Sequence, residues 1–178
     1  VADWLLGGER RTAAAERIYA AATELVLRDG LDALDIDTLA ARVHCSRATI
    51  YRYAGGKAQI RDAVLLRLAA GIVDSVRHAV EHLTGRERVV DAITVALEHI
   101  RSDPMRQMMV GLGAGRDLSE LTESPVLGRL AAELTGITDD PQAAQWIVRV
   151  VMSLAVWPLA DAAAEAQLVE RFVAPAFG

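Results

Sequence analysis

Lysine is almost missing from this chain: Lys57 stands alone against eighteen arginines in 178 residues. Cysteine is equally scarce, and Cys45 by itself cannot close an internal disulfide. Stability must therefore come from a packed core, and the expected compartment is the reducing cytoplasm. Aromatic residues make up only 4% of the chain, which leaves aliphatic side chains to build that core. No alternating apolar and polar run of useful length occurs, and this argues against a sheet. Nor is there a membrane span of about twenty residues: the longest near-apolar stretch, residues 150–160, is short and contains Pro158. Trp4-Leu5-Leu6 has acids on both sides and is too short for a secretory signal, so no membrane partner is expected.

Catalytic and metal constellations are missing too. His78 and His82 stand at i, i+4 with His99 as a conceivable third ligand, but the run His78-Ala-Val-Glu81-His82 lacks the order of a zinc protease helix. They read as helix histidines at the surface. Cys45 has no evident catalytic partner and reads as a gap filler. Gly111-x-Gly113-x-Gly115 follows a helical segment rather than a strand, so it reads as a connector and not a phosphate loop. No catalytic residue, metal or cofactor is expected.

What is present is helical punctuation around a 52% hydrophobic composition, enough to bury a full core. A first helix is expected over residues 12–29, with Thr12 as cap and Gly30 as stop. Asp35 caps a helix over residues 36–43, whose Ile36, Leu39, Ala40 and Val43 share one face. A fourth helix over residues 57–83 carries the seam Ile60, Val64, Leu68, Ile72 and Val76. Thr84-Gly85-Arg86-Glu87 has the form of a capping box. Asp103-Pro104, Ser124-Pro125 and Asp140-Pro141 each place a cap before a proline at the first helical position. The last of these opens a helix over residues 141–157, and a final helix is expected over residues 159–173. The fold class is all-α with about nine helices, divided into a head at residues 10–56 and a larger bundle at residues 57–178.

The most informative segment runs from Leu39 to Lys57. His44-Cys45 forms the turn between two short helices, and Ser46 caps the second, exposing Arg47, Ala48 and Thr49 in its first turn while Ile50 points inward. A helix entering the major groove reads bases with its N-terminal side chains. Arginine can take guanine O6 and N7 together, and threonine can offer its hydroxyl, or its methyl to thymine. Residues 42–67 hold six cations (Arg42, Arg47, Arg52, Lys57, Arg61 and Arg67) against one acid, Asp62, in a chain of formal net charge −5. Positive charge is thus localised where double-stranded DNA would lie.

Leu39-Ala40, the run Ser46-Arg47-Ala48-Thr49-Ile50-Tyr51-Arg52-Tyr53 and Lys57 resemble the N-terminal domain of the TetR family of bacterial repressors. The likeness extends back through Ile18-Tyr19-Ala20-Ala21-Ala22 and Gly30, covering roughly residues 10–68. By this resemblance Arg47, Ala48 and Thr49 face bases, while Ser46 caps their helix and Tyr51, Tyr53 and Lys57 hold phosphates. Two positions depart from the pattern: His44 stands where glycine is common, and Ala54 where phenylalanine commonly plugs the junction with the fourth helix. The resemblance further implies middle helices that enclose a small-molecule pocket and last helices that pair across a twofold axis. Met105, Met108, Met109, Leu112 and Trp146 are the pocket candidates. Val150, Leu154 and Trp157, in a nearly uncharged stretch that a short chain has difficulty covering, are the dimer-interface candidates. The expected function is a homodimeric repressor on a near-palindromic operator, released by an apolar small molecule. The alternatives are a regulator that activates or has no effector, or a helical enzyme or scaffold carrying the same head.

Overall fold

A computed structural model describes residues 3–102 and 116–177. Among the described residues the fold is all helical, with nine α-helices and no strand. They are α1 (Asp3–Asp29), α2 (Ile36–Arg42), α3 (Arg47–Ala54), α4 (Lys57–Ala79), α5 (Gly85–Ile100), α6 (Arg116–Thr122), α7 (Pro125–Thr135), α8 (Pro141–Val156) and α9 (Ala162–Leu168). A π-helical turn (Val169–Val173) and a 3-10 turn (Ala174–Phe177) continue from α9. None of the described helices is long and apolar enough to cross a membrane.

The caps explain most helix starts. Asp35 accepts from the Asp37 and Thr38 amides, Ser46 from Thr49, Ser124 from Leu127, and Asp140 from Gln142 and Ala143. Each satisfies amides that the first helical turn leaves without an internal partner. Several expectations change, among them the end of α4, which stops at Ala79 rather than at residue 83. Helix α1 begins at Asp3 rather than Thr12: Gly7-Gly8 weakens a helix without breaking it, and the strong helix formers that follow carry it through. The Thr84 capping box is not made, because Gly85 takes φ 55° and Thr84 makes no side-chain cap bond. Helix α9 starts at Ala162 instead of Leu159, with Asp161 as its cap, while the Leu159 amide donates to the buried Glu165 carboxylate. Helix α6 was not expected, and the helix expected from Pro104 lies outside the described residues.

The chain forms two compact units that meet in sequence between Leu68 and Ala69, inside α4. In the first, α1 packs on α2 and α3 over a core of Ile18, Ala22, Leu25, Val26, Leu39, Ile50, Ile60 and Val64, all buried. In the second, α8 packs against α5, α6 and α7. One apolar cluster joins Val89, Ile93 and Leu97 of α5 to Ile147, Val150 and Leu154 of α8 and to Val169 and Val173. A neighbouring cluster joins Val73, Val76 and Val80 to Ala92 and Leu134. Arg88 closes the end of α7, its Nε donating to the Leu134 carbonyl at 2.8 Å and its Nη2 to Glu133 at 3.1 Å.

Val150 and Leu154, interface candidates from the sequence, are buried in the cluster of α5 and α8 inside the second unit. Helix α8 buries Ala144, Ile147, Val148, Val150, Met152 and Leu154 and leaves a narrower side with Gln142, Trp146, Arg149 and Ser153 exposed. Trp157, the third interface candidate, is 58% exposed. The second unit also contains a buried charge pair. Arg101, just beyond α5, holds Glu165 through Nη1 at 2.6 Å and Nη2 at 2.6 Å, and donates to the Leu154 carbonyl at 3.2 Å. With the Leu159 amide at 2.9 Å, both carboxylate oxygens are satisfied.

Candidate nucleic-acid interface

The first unit presents the turn and α3 as expected from the sequence, and its geometry has local causes. The Val43 amide donates to Leu39 and the Cys45 amide to Ala40, which ends α2. His44 then takes φ 54°, the one left-handed non-glycine residue among the described residues. A histidine tolerates this conformation better than a β-branched residue does. Ser46 restarts the helix with its Oγ accepting from the Thr49 amide at 3.2 Å and lying 2.9 Å from the Thr49 hydroxyl. At the far end Gly55, at φ 81°, turns the chain; a Cβ there would come within 3.1 Å of the Gln59 side chain.

Ile50 and Ala54 anchor α3 inward, leaving Ser46, Arg47, Ala48, Tyr51 and Lys57 exposed and Thr49 and Tyr53 half-buried. Arg52 lies over the Tyr53 ring at 5.5 Å, so Tyr53 is covered on one face by a cation. Ala54 is buried within the first unit, and the Tyr19 hydroxyl of α1 donates to its carbonyl at 3.3 Å. Arg67 sits 5.8 Å above the Tyr19 ring and pairs with Glu16.

The basic character of residues 42–67 is smaller than the linear count suggests. Arg42 pairs with Glu24 at 2.9 Å, Arg47 with Asp37, and Arg67 with Glu16, all acids from outside that window. Arg52 and Lys57 make no ion pair among the described residues. Asp37 accepts from both Nε and Nη2 of Arg47, and its carboxylate raises the guanidinium above its ordinary pKa, keeping it charged. The Thr38 amide holds the Asp35 carboxyl below the usual range, with the Asp37 and Ile36 amides and the Lys57 charge adding to it against a desolvation that opposes them. In the sequence Asp37 has no assigned role, and Tyr19 enters only within the run that resembles the family's first helix. The signal for Asp37 was its place in the first turn of α2, facing the first turn of α3 across a tight turn.

In the second unit a cavity of about 130 Å³ is bounded by α4, α5, α7 and α8. Ile72 and Val73, Ala92, Ile93 and Ala96, Leu130 and Leu134, and Val148, Val151 and Met152 are among the residues that line it. Among the described residues that line it, Thr135 alone has a polar side chain, and its hydroxyl donates to the Ala131 carbonyl at 2.6 Å. Trp146, expected at a pocket wall, is 51% exposed and does not line this cavity. Met105, Met108, Met109 and Leu112 lie outside the described residues. His82 lies beyond the end of α4, in a turn, so His78 and His82 do not share a helix face.

Comparison with known proteins agrees with this geometry. Residues 18–64, which span the interface, match the model of bacterial regulatory proteins of the tetR family. An uncharacterized HTH-type transcriptional regulator of Mycobacterium tuberculosis is 31% identical over 191 residues, covering 97% of this chain and 89% of its own length. The DNA-binding transcriptional repressor TetR of Mycobacteroides abscessus is 39% identical over 69 residues, 39% of this chain and 35% of that protein. Among solved structures, the TetR family repressor AlkX from Dietzia sp., implicated in biodegradation of n-alkanes, shares the fold. Its TM-score is 0.52 at 22% identity, with 89% of this chain and 92% of that one covered. A helix-turn-helix with an exposed, capped second helix, set before a helical bundle and matched along nearly its whole length by such a relative, identifies the chain as a transcriptional regulator belonging to the TetR family.

Proposed function

We propose that the protein is a homodimeric repressor that binds a near-palindromic operator through α3 and is released by an apolar small molecule. The observation that carries the DNA-reading part is the first turn of α3, where the Ser46 cap leaves Arg47 and Ala48 exposed, with Thr49 half-buried beside them. Arg47 and Thr49 read base edges, Ala48 offers a methyl contact, and Ser46, Tyr51, Tyr53 and Lys57 position the helix on phosphates. A dimer sets two such helices about 34 to 36 Å apart, one turn of DNA. With Val150 and Leu154 inside the unit, the partner surface is the exposed side of α8 that carries Trp146, Arg149, Ser153 and Trp157, with Phe172 as a further exposed aromatic.

The effector site is the hydrocarbon-lined cavity. The described residues of its walls are almost all hydrocarbon, which favours a ligand with a substantial aliphatic portion. Such a ligand acts only through a difference in affinity between the DNA-bound and DNA-free arrangements. By linkage operator DNA weakens ligand binding by the same factor, typically about 5- to 150-fold.

Titration with duplexes selected by the purified protein tests the reading. Arg47→Ala should lower affinity for the selected site about ten-fold or more and flatten preference at one base pair. Lys57→Ala should weaken all duplexes alike and reduce the salt slope by about one unit. Equal effects of both variants on selected and random DNA would overturn the division of roles.

A further inference from the structure

Arg47 has five N–H donors, and the structure shows which of them are already used. Asp37 takes the side edge of the guanidinium, Nε with Oδ1 and Nη2 with Oδ2. This leaves the end edge, one hydrogen on Nη1 and the second on Nη2, as a parallel fork directed away from the carboxylate. That fork is the one that matches O6 and N7 of guanine. Both partners remain accessible, with the Arg47 side chain 66% and the Asp37 side chain 55% exposed, so base and carboxylate can be held at once.

We infer that Asp37 is a specificity-determining positioning residue: it touches no base, but fixes the plane and direction in which Arg47 offers its free edge to guanine. An unrestrained arginine can swing between a base edge and the nearest phosphate, and the second choice carries no sequence information. Asp37 disfavours it in two ways. It restrains the guanidinium before DNA arrives, lowering the entropy lost on docking, and its own negative charge opposes the backbone. The same charge costs affinity on every sequence. Asp37 therefore exchanges general affinity for discrimination, a role different from that of the cationic residues around it.

This inference rests on Arg47 as a base reader, and the experiment separates the two. The full-length chain, as wild type, Asp37→Asn, Arg47→Ala and the double variant, is used to select from a randomised duplex pool. Affinities are then measured for the selected duplex, for one with its most enriched guanine replaced, and for random-sequence duplex. In Asp37→Asn, discrimination at that guanine should fall about two- to five-fold, the range of an exposed ion pair, while affinity for random duplex rises. In the Arg47→Ala background the same substitution should leave discrimination unchanged and only raise affinity. Asp37→Ala should repeat the pattern, and unchanged helical circular dichroism keeps a folding defect from imitating it. Parallel changes on all three duplexes, or sharper discrimination without Asp37, would overturn the positioning role while leaving Arg47 as a reader. If Arg47→Ala itself leaves the guanine preference intact, the base-reading assignment falls and this inference with it.

Discussion

The two units differ in one kind of ion pair. In the first, Arg42 with Glu24, Arg47 with Asp37 and Arg67 with Glu16 lie at the surface. The second also has surface pairs, Arg77 with Asp74 and Glu133, but adds one, Arg101 with Glu165, that is largely withdrawn from solvent and tied to the backbone at Leu154 and Leu159. Exposed pairs contribute little to stability, so the first unit can spend its charged groups on orientation and recognition. The buried pair contributes no recognition surface, but it fixes where the chain after α8 and the start of α9 must lie. The contrast separates a unit that turns its pairs outward from one that also uses a pair to hold its own chain in place.

The sharpest way to break the contrast is to put an unpaired charge where the second unit has none. Leu154→Glu should cost about 3 to 5 kcal/mol, because the carboxylate would enter the cluster of Leu97, Val150 and Val169. Denaturant titration of the helical signal would measure it; a variant as stable as wild type, with an altered oligomeric state, would return Leu154 to a subunit interface. Next, Glu165→Gln should cost about 2 to 3 kcal/mol by leaving Arg101 without its counter-charge. A double variant, Arg101→Met with Glu165→Leu, should regain most of the loss, and equal stability of single and double variants would contradict the pairing.

The first unit should respond more weakly to comparable changes. Ser46→Ala removes the oxygen that accepts from the Thr49 amide and should cost about 1 kcal/mol, read as a lower denaturation midpoint. Asp35 supplies the smallest effect, through pH. Its folded-state carboxyl titrates below the unfolded one, so its stabilising contribution is present above the ordinary carboxylate range and is lost as pH falls through the lowered value. Asp35→Asn should therefore flatten the acid limb of the stability profile below about pH 4 and leave the neutral region's slope unchanged. A persistent acid limb of the same depth would assign it to other carboxylates.

The units also differ in how much of them is legible in sequence. The path from Asp35 through His44 and Ser46 to Gly55 is written in residues that act within three or four positions of themselves, and each does locally what its type predicts. Asp37 and Arg47 are only ten positions apart, yet recognising the pair requires knowing the angle between two helices. In the second unit the decisive relations span 46 residues from Arg88 to Leu134 and 64 from Arg101 to Glu165. Aliphatic residues are interchangeable at this level, so the pattern around Val150 and Leu154 fits a subunit interface as well as an internal core. The cavity is harder still to foresee, because it arises from four helices and is marked by no distinctive residue.

The Arg101–Glu165 pair also constrains recombination. Each residue supplies the other's counter-charge, and one lies before α6 while its partner lies in α9. A crossover anywhere between them would splice an arginine from one lineage to whatever a second lineage carries at the position of Glu165. Chimeras that exchange the bundle between regulators of this kind should therefore keep residues 101 and 165 from the same parent, and junctions near Leu68 and Ala69, where the compact units meet in sequence, separate the reading head without dividing that inheritance.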